Sequence, residues 1–133
     1  MEEKDKKFIS HVSHEIVNEL APSELILFND IEEQFFKNPE ALLTKDKKKR
    51  EKMLGFALPA GSEQFITVVV LPIVYKIIEK YFGKKEKVGK LDTDKIKRLR
   101  EEVYDNAIAS GIKSEKAGLM ADSFVGKMVQ MGY

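Results

Sequence analysis

The sequence predicts an all-α fold: one compact helical domain of five to six helices over residues 1–133, with a central buried helix at 65–82 and a C-terminal helical hairpin. Three observations predict it. Apolar residues recur at steps of three and four along most of the chain, the spacing of one helical face. Pro22, Asn38-Pro39, the Gly55–Gly61 stretch and Gly111 punctuate those stripes at helix-length intervals. The β-favouring run Val68-Val69-Val70 has no alternating partner elsewhere, so a strand there would have nothing to pair with.

In the first segment Phe8, Ile9, Val12, Ile16, Val17 and Leu20 fall on one face. Pro22 ends that run and is placed to open the next helix, because its missing N–H is no loss in a first turn. Leu25, Phe28, Ile31, Phe35 and Phe36 make the second stripe, and Asn38-Pro39-Glu40 reads as a stop followed by a start. Ala41–Leu43 is apolar, and Lys45–Lys52 (KDKKKREK) is nearly all charged. That stretch is either a continuing helix or a basic loop. Ser62 is placed to cap the helix that follows.

Phe65–Tyr75, FITVVVLPIVY, holds no charge and one polar side chain, Thr67. Pro72 removes the backbone bond to Val68 and should kink this helix. Beyond it, Ile73, Val74, Ile77, Ile78 and Tyr81 face one way, and Lys76, Glu79 and Lys80 the other. A second basic loop is expected near 83–90. Asp92, Thr93 and Asp94 then open a helix with Ile96, Leu99, Val103 and Ala107 on its core face. Gly111 closes it as a left-handed residue. Ser114 caps the last helix, where Ala117, Ala121, Phe124 and Met128 form the core stripe. Gly118 and Gly126 are expected to permit close helix contact.

At 133 residues the chain is one domain's length. Its 43% hydrophobic residues supply one core, and its 34% charged residues imply long solvated faces. The absence of cysteine excludes disulfides and thiolate metal sites and fits a reducing compartment. The opening MEEKDKKFIS lacks an apolar stretch with a cleavage site, so a soluble, cytoplasmic protein is expected. The net charge of +1 is unevenly spread. Residues 1–40 carry 4 Lys/Arg against 10 Asp/Glu, and residues 41–100 carry 16 against 7. The basic middle suits an anionic surface, an acidic partner or the chain's own first segment.

Motifs of known chemistry are scarce. Phe8–Leu20, FISHVSHEIVNEL, resembles the phosphoacceptor box of sensor histidine kinases through Phe8, Ser13, His14 and Glu15. The resemblance implies phosphotransfer at His14, with Glu15 helping to deprotonate it. Val17-Asn18-Glu19-Leu20 stands where that family carries Arg-Thr-Pro-Leu, and no nucleotide-binding region follows. His11 and His14 lie three apart on one helix face, but neither HExxH nor HxxEH is present and no metal is expected. Ala107-x-x-x-Gly111 followed by Ala117 echoes a helix-turn-helix, yet Glu115 and Asp122 offset Lys116 and Lys127 on the second helix. With no aromatic interleaving in the basic runs, nucleic acid is disfavoured. The apolar run is shorter than the roughly 20 residues of a membrane span.

No phosphate loop, serine elbow or acid/base pair is present, so no catalytic residue and no cofactor are expected. The expected function is a non-enzymatic protein-interaction or regulatory module that binds another protein or itself. The first alternative is a peripheral membrane protein using the basic runs and the apolar segment 65–82, with Lys47, Lys48, Lys49 and Arg50 as the anion contact. The second is a His-phosphotransfer domain acting through His14.

Overall fold

The structure, a computed structural model, describes residues 3–40, 48, 49, 52, 66–81 and 92–130. Among these the chain forms five α-helices and one 3₁₀ turn, with no strand. The helices are α1 (Glu3–Leu20), α2 (Leu25–Lys37), α3 (Ile66–Tyr81), α4 (Thr93–Ala109) and α5 (Ser114–Gln130). The 3₁₀ turn is Pro22–Glu24 and links α1 to α2. The all-α expectation therefore holds, and the Val68-Val69-Val70 run is helical.

Each helix buries the stripe its spacing marks. In α1, Phe8, Ile9, Val12, Ile16 and Val17 are buried, and Leu20 is half-buried. In α2, Phe28, Ile31 and Phe35 are buried, with Leu25 and Phe36 packed beside them. Phe35 also meets Tyr75 of α3 edge to face, with ring centroids 5.6 Å apart. The apolar half of α3 is buried without a break from Ile66 to Val74, and Ile77 and Ile78 continue the stripe. It packs against α1, α2 and α4, while α1 packs against α2, α3 and α5, so the two helices share the middle of the described fold. Full burial of one such aliphatic side chain contributes about 1.5–3 kcal/mol, so this helix carries much of the core energy. The helix continues through Pro72, which is itself buried.

The C-terminal hairpin forms as its turn residues dictate. Asp92 Oδ1 accepts the Lys95 N–H at 2.9 Å and caps α4. At the other end Gly111 has φ 91°, a left-handed conformation open to a residue without Cβ. Its N–H donates to the Ile108 carbonyl, and the Ile112 N–H donates to Ala107, both at 3.0 Å. Buried Ile112 closes this Schellman pattern against buried Ala107. The helix α5 then starts at Ser114, one residue earlier than a Ser114 cap implies, and the Lys113 carbonyl accepts the Ala117 N–H.

Among the described residues two polar side chains, Ser13 and Thr67, sit inside the core. Thr67 is satisfied, as described below. Ser13 Oγ has no hydrogen-bond partner among the described residues. The Ser62 cap, the basic loop at 83–90, and Phe65 and Phe82 lie outside the described residues. Of the run at 45–52, Lys48, Lys49 and Lys52 have helical backbone and exposed side chains.

Candidate functional site

Among the described residues, Lys80 of α3 pairs with Glu102 of α4 at 2.6 Å, and two larger polar clusters tie more distant elements together. At the first, Glu24 reaches from the 3₁₀ turn to the start of α3. Its carboxylate accepts the Ile66 N–H at 2.9 Å, the Thr67 N–H at 2.8 Å and the Thr67 hydroxyl at 2.9 Å. A helix leaves its first N–H groups without intrahelical partners and carries partial positive charge there, so a carboxylate from another element is a favourable cap. The motif is structural, since the carboxylate is already occupied.

At the second, α1 meets α5. Ser123 donates to Glu19 at 2.6 Å, and Lys127 lies 3.2 Å from Glu19 and 3.5 Å from Glu15. The hydrogen bond from Ser123 holds the Glu19 carboxyl below its ordinary value, with Lys127 adding to this and burial opposing it. The same contact with Glu19 raises Lys127. On the outer side of the α4–α5 hairpin, Arg100 pairs with Asp122 at 2.7 Å, which raises the guanidinium.

Beside the second cluster lies a shallow groove of about 520 Å³ between the C-terminal ends of α1 and α5. Leu20 and Leu119 give it apolar walls, Gly126 opens it, and Glu19, Asp122 and Lys127 carry its charges. Leu119 and Val129 are 53% and 51% exposed on the face of α5 turned away from the core. Leu119, Asp122, Gly126 and Val129 follow one another at steps of three, four and three, so they share one outward stripe.

Gly118 and Gly126 correct the expectation made from sequence. A Cβ built at either meets no atom within 4 Å, so neither is needed for packing against the described residues. Glycine within a helix costs about 0.5–1 kcal/mol relative to alanine, and no contact among the described residues offsets that cost.

His14 is exposed on α1, with its ring edge-to-face with Phe28 at 5.2 Å. Its neighbour Glu15 is turned to Lys127 rather than to the imidazole. His11 is exposed too, and among the described residues no group of three or more His, Asp or Glu is placed to hold a metal. Lys48 and Lys49 are exposed, while Lys47 and Arg50 lie outside the described residues. Lys127 of the helix-turn-helix echo is spent on α1, with a side chain only 18% exposed.

No known protein family, curated protein or solved structure matches this chain. The surface itself therefore carries the functional argument. Sequence reading missed the groove because Leu119 and Val129 look like ordinary members of an apolar-rich helix. The signal was available in their spacing: they fall opposite the Ala117–Phe124–Met128 stripe.

Proposed function

We propose that this chain is a non-enzymatic protein-interaction module whose α5 outer face and the adjoining α1–α5 groove dock a helix of a protein. The observation that carries this reading is the outward stripe on α5: two large apolar residues more than half exposed, flanking a glycine with open space before it. A helix-in-groove contact needs such anchors at helical spacing, and a glycine lets the incoming backbone approach closely. The rim carboxylates Glu19 and Asp122 are already paired with Lys127 and Arg100, so the contact rests on the apolar anchors.

The membrane alternative has lost one of its two supports. No described helix is long and apolar enough to cross a bilayer, and the apolar segment is occupied as core in α3. Exposed Lys48 and Lys49 are the support that remains.

The test is a photo-crosslinking residue at position 119, compared with one at exposed Asp105 on α4, in the full chain in its host cells. A protein crosslinked from 119 and not from 105 is then purified and titrated against the chain. Leu119→Glu is expected to weaken binding tenfold or more with an unchanged unfolding midpoint. Equal affinity of Leu119→Glu, or no crosslink specific to 119, would overturn the proposal. Retention on anionic vesicles that survives Leu119→Glu and is lost in Lys48→Gln/Lys49→Gln would favour the membrane reading instead.

A further inference from the structure

We draw no further inference here: the strongest candidate, the exposed outer face of α5 around Leu119 and Val129 beside the α1–α5 groove, belongs to the docking site already described, and nothing in the structure shows what covers it.

Discussion

Glu24 accepts three hydrogen bonds from Ile66 and Thr67, residues more than forty positions away in sequence. Glu24→Ala would leave two N–H groups and one hydroxyl without their acceptor, at a part-buried site. The expected cost is about 1–3 kcal/mol, read as a lower urea midpoint with an unchanged slope. Glu24→Gln keeps one acceptor oxygen and should lose less. Equal stability of Glu24→Ala and the parent would show that water replaces the carboxylate at no cost. Glu19 makes a pH prediction. Its folded pKa is depressed, so its contribution is present above the ordinary carboxylate value and is lost as pH falls through the folded value. The melting temperature should therefore fall more steeply below about pH 4 in the parent than in Glu19→Gln. The difference is small, because the Glu19 side chain is 47% exposed and solvent screens the pair. Parallel acid limbs for the two proteins would remove Glu19 from the account of acid stability.

At the scale of the element, three glycines that look alike in sequence behave differently. Gly111 sits at φ 91°, and Gly111→Ala should destabilise by about 1 kcal/mol through left-handed strain. Gly118 and Gly126 are helical with open space beyond the Cα, so Gly118→Ala and Gly126→Ala should each stabilise by about 0.5–1 kcal/mol. Chemical denaturation of the three variants checks both signs. Destabilisation by Gly118→Ala or Gly126→Ala would mean that something occupies the space each leaves. The helices themselves were legible from periodicity, because 3.6 residues per turn puts Phe8, Val12 and Ile16 on one face whatever the rest of the chain does. The direction in which α5 points its glycines was not legible. Small residues fit both a tight interface and an empty surface, and only the packed neighbours distinguish the two.

Across the whole molecule, α3 decides stability. Val69 is 4% exposed at the centre of its buried half. Val69→Asp would bury an unpaired charge at a cost of several kcal/mol, a large share of the stability of a chain this size. The expected outcome is loss of cooperative thermal unfolding by circular dichroism, and a variant that melts like the parent would show that α3 is not the core. The sequence by itself determined where the helices run, which faces are apolar and where Gly111 must turn. These depend on backbone geometry and hydrophobicity over neighbouring turns. Only the tertiary structure decided that Glu24 caps α3 and that Lys127 answers Glu15 and Glu19 across the bundle. Glu19 and Ser123 are 104 residues apart, and no local pattern encodes such a pair. Their meeting depends on how the helices cross and in what order they pack, which the periodicity of each helix leaves open.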